Sequence, residues 1–323
     1  MNRMKIVLAS AAALFAFCTV SAQTVNDVNA KYNEAVALIQ SKKAAEAIAP
    51  LEEAIKMGEM VEGAETTLLH AKQALPRCYC SKAASEAQAG QLDAALADFN
   101  KAIEIATAYN NPQILLSAKS AIAKVYTIQA ADAFNNKNYA QAAEIFAKGY
   151  AANPNDTELA LNLAMSYCEM GDLAKGNEVY KNIIALSDKH SKYADDAATA
   201  KEKFIYYNML DAAKKAGEQN YEGAVAVIDS MGTVVPLTAD ANMLLLQAYT
   251  NMKNYDKVIE IGEAAAAMQT TPEQQSDAYF LLGAAYQNKE NYPAAIATYQ
   301  KVTVGDNVAT AKQQITALNA IKK

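Results

Sequence analysis

The stretch YFLLGAAYQNKENYPAAIATYQ, residues 279–300, decides how the rest of the chain is read. Tyr279, Leu282, Gly283 and Tyr286 are spaced by three, four and seven residues from the first, which places them on one face of a helix. Gly283 weakens a helix, yet it sits in the middle of that face, where a missing side chain lets a second helix come close. The polar run from Asn288 to Asn291 reads as a turn. Pro293 then belongs to the first turn of a following helix, where its missing N–H costs nothing. Ala295 and Tyr299 lie four apart on that second helix. The stretch predicts two helices packed tightly against each other.

The order aromatic, Leu-Gly, aromatic, then Ala-x3-aromatic resembles the tetratricopeptide repeat (TPR), a helix-turn-helix unit of about 34 residues. The resemblance implies an all-α fold, an α-solenoid in which each unit touches only its neighbours. With the small residue of the second helix as a ruler, the pattern recurs at Ala47, Ala95, Ala142, Gly176, Ala224, Val258 and Ala295. About seven TPR-like units are therefore expected. The third is well marked by Tyr139, Ala142, Phe146, Gly149 and Pro154, and the fourth by Leu163, Ala164, Tyr167 and the turn Gly171-Asp172-Leu173.

The ruler positions are separated by 48, 47, 34, 48, 34 and 37 residues. The excess in the long intervals is close to four helical turns, expected here as about two extra turns on each of two facing helices. Ala64 to Ala89 fits such a long helix, with Pro76 as a kink or break. Ser187 to Gly217 supports another, with loop over Ser187-Asp188 and the polar run to Asp196 as the alternative. After Gly305, Asp306 is a candidate cap for a last helix with Val308, Ala311, Ile315 and Leu318 on one face and Lys312, Gln313, Gln314 and Asn319 on the other. The expected organisation is a solenoid over residues 23–305 and a C-terminal capping helix over 306–323, in one elongated body.

Residues 1–22 read as a bacterial secretory signal peptide. Arg3 and Lys5 precede the apolar run Ile6 to Phe17, and Val20, Ser21 and Ala22 supply small residues before Gln23. The bulky Phe17 before Cys18 departs from a lipobox, so lipid anchoring at Cys18 is not expected. No later segment is apolar over the roughly 20 residues a membrane helix needs. Loss of Arg3 and Lys5 would take the formal charge from −6 to −8. Such an acidic body is repelled by phosphate backbones, which argues against nucleic acid and leaves proteins as the expected partners, with peripheral envelope association as a further expectation.

Of the remaining cysteines, Cys78 and Cys80 point to nearly opposite sides of a helix and Cys168 lies far from both, so all three read as small packed residues; a mixed disulfide or a reactive thiol stays open. His70 and His190 have no evident ligand set, and no nucleotide, zinc-protease or nucleophile motif is present. Neither a metal nor a cofactor is expected, and no catalysis.

The face opposite the packing residues on the first helix of each pair carries Leu161, Asn162, Met165 and Glu169, then Tyr206 and Met209, Met243 and Gln247, and Phe280 and Gln287. An adaptable, Met-rich inner groove of this kind suits an extended peptide or a partner's amphipathic helix. The alternative, in which Met209 and Met243 are core beneath folded-back helices, stays open. A known subset of the TPR family clamps an acidic C-terminal peptide with Lys, Asn and Arg. Here only Asn162 matches such a slot, since Thr127, Ala131, Tyr206 and Leu210 supply no cation or amide at the others. The resemblance implies a non-catalytic protein-interaction scaffold of the periplasm or cell envelope. The alternatives are a glycan- or nutrient-capture protein of the outer envelope and an enzyme with an unrecognised site.

Overall fold

The computed structural model describes residues 23–321; the signal-peptide reading of residues 1–22 lies outside them. The described chain is helical, with no strand: α1 Val25–Gln40, α2 Ile48–Gly58, α3 Glu65–Gln88, α4 Leu92–Ala108, α5 Pro112–Asn135, α6 Tyr139–Ala152, α7 Thr157–Glu169, α8 Leu173–Lys189, α9 Ala194–Gly217, α10 Tyr221–Gly232, α11 Ala239–Asn251, α12 Tyr255–Met268, α13 Pro272–Asn288, α14 Tyr292–Tyr299 and α15 Val308–Ile321. A short 3-10 turn, Ser191–Tyr193, joins α8 to α9. The helices fall into two compact units that divide within α5, after Ala121.

In the first unit α1, α2, α3 and α4 pack in sequence order, and α1 also meets α3. Leu51, Ala54, Ile55, Ala71, Leu75 and Cys78 are its centre. In the second unit each helix from α6 to α15 packs on the next, and α7 with α9, α9 with α11 and α11 with α13 make the additional first-helix contacts. This is the nearest-neighbour packing of a helical solenoid. Ala47, Ala95, Ala142, Gly176, Ala224, Val258 and Ala295, the seven ruler residues, are all buried. Their smallness is what brings the second helix of each pair close to the first.

One turn design repeats in the second unit, between α5 and α6, α7 and α8, α9 and α10, α11 and α12, and α13 and α14. Lys137, Gly171, Gln219, Lys253 and Glu290 hold the left-handed conformation at φ 60, 85, 61, 56 and 58°. The next residue is Asn138, Asp172, Asn220, Asn254 or Asn291, whose side chain accepts the N–H three residues on and caps the following helix. Its own N–H reaches back to the preceding helix, as from Asn254 to the Tyr249 carbonyl at 2.9 Å, which closes a Schellman-type end. A helix stop and a helix start are thus compressed into two residues.

The packing expected around Gly283 is present. A Cβ there would lie 2.7 and 2.8 Å from the Cδ1 and Cε1 atoms of Tyr299. Gly262 is comparable, with Leu282 Cδ1 at 2.8 Å from such a Cβ.

The structure resolves several expectations, some of them as corrections. The excess length is not shared equally: α3, α5 and α9 have 24 residues each, whereas α4 and α8 have 17 and α10 has 12. Most of the extra turns therefore fall on first helices, where an exposed face tolerates added length. Pro76 does not break α3, which runs through it with Pro76 buried. The run from Ser187 to Asp196 is helix end, 3-10 turn and helix start, not loop. At the other end α15 begins at Val308, so Asn307, not Asp306, precedes it; the Asn307 amide donates to Asp277 at 2.8 Å. Ala311 and Leu318 are each 1% exposed and pack with Tyr299 and Val302.

Candidate partner-binding faces

The residues singled out on the first helices of the second unit divide by environment. Leu161 and Met165 of α7 and Met209 of α9 are half-buried against the main core of that unit. Met243 of α11 packs on the cluster of Leu246 and Val258, and Phe280 of α13 on that of Tyr299, with ring centroids 5.7 Å apart. Asn162 is half-buried, and its carbonyl accepts the Ser166 hydroxyl. Glu169 and Gln247 are exposed.

Two of these residues already serve inter-helix bonds. Glu169 accepts the Tyr207 hydroxyl at 2.7 Å and so ties α7 to α9. Burial first, then the Glu169 carboxylate, hold the Tyr207 phenol well above its ordinary range. The Gln287 amide accepts from the Tyr299 hydroxyl and donates to Gln314 of α15, both at 2.9 Å, so both ends of it are satisfied. The buried Asn208 exchanges amide bonds of 2.9 Å with Asn177 of α8 and donates to the Phe204 carbonyl.

Beside the exposed Gln247, large apolar side chains are left open on these helices. Tyr206 and Leu210 of α9 are 57% and 56% exposed, and Ile128 of α5 is 57% exposed. Tyr206 stands edge-on to Tyr207 at 5.1 Å, a contact that orients its ring without covering it. Adjacent tyrosines on one helix thus take opposite roles, Tyr207 inward and bonded, Tyr206 outward. The spacing pattern gave no basis for that division. Elsewhere Tyr180 and Tyr299 are fully buried, and Tyr126, Tyr139, Tyr167, Tyr221, Tyr249, Tyr255 and Tyr286 are half-buried.

The first unit holds a feature the repeat pattern passed over. Tyr32 and Ile39 of α1 and His70, Gln73, Arg77 and Ser81 of α3 line a cavity of about 280 Å³. The available signal was compositional: Arg77 is the one arginine after Arg3.

Among the described residues Cys78, Cys80 and Cys168 are free. Burial pushes the Cys78 thiol up to about 11 and the Cys168 thiol up to about 12, the latter helped by the charges of Glu169 and Asp172. Thiols so held are protonated and poorly nucleophilic. Among the described residues no group of three His, Cys, Asp or Glu side chains could hold a metal ion, and no helix is long and apolar enough to cross a membrane.

Models of the tetratricopeptide repeat match residues 133–201 in one form and residues 76–109 and 276–303 in another. No curated protein matches the sequence. Among solved structures the chain is similar to the TPR domain of P58(IPK), with 15% identity, 91% of this chain and 98% of that chain covered, and a TM-score of 0.33. It is similar also to a tetratricopeptide repeat protein from Parabacteroides merdae, with 12% identity, coverage of 90% and 98%, and a TM-score of 0.28. A third is the TPR2AB domain of yeast Sti1 in complex with pHSP90, with 13% identity, coverage of 91% and 99%, and a TM-score of 0.32. The seven buried ruler residues, the repeated turn and the three matched segments lead to one conclusion: the chain carries tetratricopeptide repeats, at residues 76–109, 133–201 and 276–303.

Proposed function

We propose that the chain is an exported, non-catalytic interaction scaffold of the bacterial periplasm or cell envelope, which takes an extended peptide or partner helix on the first-helix face of its second unit. TPR proteins bind protein partners, and the observation that localises such binding here is the exposure of Tyr206 and Leu210 on α9, the helix that also carries the half-buried Met209. Exposed aromatic and aliphatic side chains next to flexible methionines give an adaptable apolar surface, the kind that accepts an amphipathic segment. Export rests on the sequence of residues 1–22 alone.

The experiment compares the unaltered chain with a Tyr206→Ala, Leu210→Asp double variant in crosslinking and affinity capture from envelope fractions. Both side chains are more than half exposed, so the variant keeps its helicity and melts within about 0.5 kcal/mol of the parent. Partners captured by the parent are lost from the variant. Unchanged capture overturns the assigned face, and selective sugar binding by a chain that captures no protein overturns the scaffold reading. Fractionation of cells with and without residues 1–22 tests export, which requires the shortened form to stay in the cytoplasm.

A further inference from the structure

Helices α3 and α4 of the first unit meet at a point where charge does not balance. Lys82 and Glu86 lie one turn apart on α3, and Asp98 faces them from α4. The Lys82 ammonium is 2.6 Å from Asp98 Oδ2 and 3.5 Å from Glu86 Oε1, and among the described residues no other cation pairs with either carboxylate. One cation therefore serves two carboxylates. Asp98 and Glu86 are also withdrawn from water, with side chains 15% and 16% exposed. A surplus negative charge in such a place is unfavourable, because neither solvent nor a second cation offsets it.

The oxygen atoms lead the same way. Glu86 Oε2 is out of contact with solvent and accepts no hydrogen bond. Two ionised carboxylates offer each other only acceptors, whereas a proton on Glu86 makes it a donor to Asp98. Burial, then the hydrogen bond with Asp98, raise the Glu86 carboxyl, and the Lys82 ammonium opposes them. The pair is open to protons from solvent. Glu86 lines a cavity of about 400 Å³, whose other charged groups are Lys82 and, from the turn between α1 and α2, Lys42, Lys43 and Glu46. Lys43 is paired with Glu46 at 3.1 Å, and α2 contributes no residue to the cavity.

We infer that Glu86 and Asp98 share one proton, Glu86 donating to Asp98, and that this bond latches α3 to α4 in mildly acidic surroundings and is released as the pH rises. Release leaves two carboxylates facing each other across one ammonium, and the contact between the helices loosens. The sign follows from linkage. A carboxyl raised in the folded chain stabilises fully below its unfolded value and loses that contribution as the pH climbs through the folded one. Asp27 and Glu65 of the same unit are held below the usual range by their hydrogen bonds, so they stay ionised above it and do not produce this change. No residue of the Tyr206 and Leu210 face takes part, so either can fail without the other.

The test follows the side-chain carboxyl signals of Glu86 and Asp98 by carbon NMR through a pH titration of the purified chain. Amide hydrogen exchange, corrected for its intrinsic pH dependence, is compared at about pH 5.5 and about pH 7.5. The Glu86 signal steps above 4.5, and the Asp98 signal moves in the same step. Amides of α3 and α4 exchange at least about threefold more slowly at the lower pH, while those of α13 and α14 hold their rates. Glu86→Gln donates an amide N–H to Asp98 and does not titrate, so it protects α3 and α4 equally at both values. Lys82→Met removes the opposing cation and moves the Glu86 step upward. The inference is overturned if Glu86 steps at or below 4.5, or if the Asp98 signal is silent in that step. It is overturned too if α3 and α4 gain no more protection than α13 and α14, if Glu86→Gln keeps the pH dependence, or if Lys82→Met leaves the step in place or lowers it.

Discussion

At the scale of single residues, this fold is set by smallness and by turn geometry. Ala142, Ala224 and Ala295 are wholly buried because nothing larger fits where two helices meet, and Gly283 carries the same logic further, with the Tyr299 ring in the space a methyl group would take. The turns show a different economy. Lys253 holds φ 56° although it is not glycine, a conformation that costs an L-residue roughly 1–2 kcal/mol. It is exposed and its neighbour Asn254 supplies the cap, so the side chain at 253 is free to change. Lys253→Gly should relieve the strain and lose part of the gain to the greater freedom of unfolded glycine, for a net stabilisation of about 0.5–1 kcal/mol. A thermal melt that rises by about 1–3 °C is the expected reading; a fall would mean that the lysine side chain contributes to the turn.

Between elements, the clearest electrostatic feature joins α3 to α4 in the first unit. Lys82 lies 2.6 Å from Asp98 and 3.5 Å from Glu86, and the two carboxylate side chains are only 15% and 16% exposed. Burial, then the hydrogen bond and charge of Asp98, raise the Glu86 carboxyl above its usual 4.5, more than the Lys82 ammonium lowers it. The consequence for stability has a definite sign. A carboxyl whose folded pKa is raised contributes stability below its unfolded pKa and loses it as the pH climbs through the folded value. Glu86→Gln removes the charge and keeps a group able to bond to Asp98, so it should be more stable than the parent at pH 7 and lose that advantage near pH 4. Denaturant midpoints of the two proteins at both pH values check this. A variant less stable at pH 7 would show that the Lys82–Glu86 attraction outweighs the burial and repulsion.

The elements also show where periodicity was sufficient. Helix faces and ends around Ala142, Gly176 and Ala295 followed from spacing, because a 3.6-residue repeat and an Asn or Asp cap are local properties. The distribution of the extra turns did not follow. An excess of four turns satisfies register whether it falls on one helix or two, and only the packed structure assigns it to α3, α5 and α9. Of the two readings of Pro76, kink or break, the break does not occur, for a related reason: a local preference for one yields when the helix on both sides of Pro76 is held by buried Ala71, Leu75 and Cys78.

For the molecule as a whole, stability in a repeat array is close to a sum of neighbouring interfaces, so damage stays near its origin. Gly283→Ala places a methyl group against the Tyr299 ring, which is 2% exposed and has little room to move. The overpacking outweighs the helix propensity gained, for a net loss of about 1–2 kcal/mol. Native-state hydrogen exchange should show protection reduced in α13, α14 and α15, with the amides of α1 to α4 unchanged. Equal loss throughout would mean that the chain unfolds as one cooperative body, contrary to nearest-neighbour behaviour.

The sequence alone determined the class of fold, the seven helix pairs and the positions at which they touch, because amphipathic spacing, small residues at contacts and capping residues act over a few positions. It also marked the first helices as the surface to examine for partners. Tertiary structure alone decided which of those side chains stay open. Tyr206 faces outward and Tyr207 inward to Glu169, Gln287 is consumed by Tyr299 and Gln314, and Arg77 stands without a carboxylate in a cavity between α1 and α3. The physical reason is that exposure and pairing belong to no residue by itself; they depend on which helix faces meet, and those meetings join residues 12 to 38 positions apart.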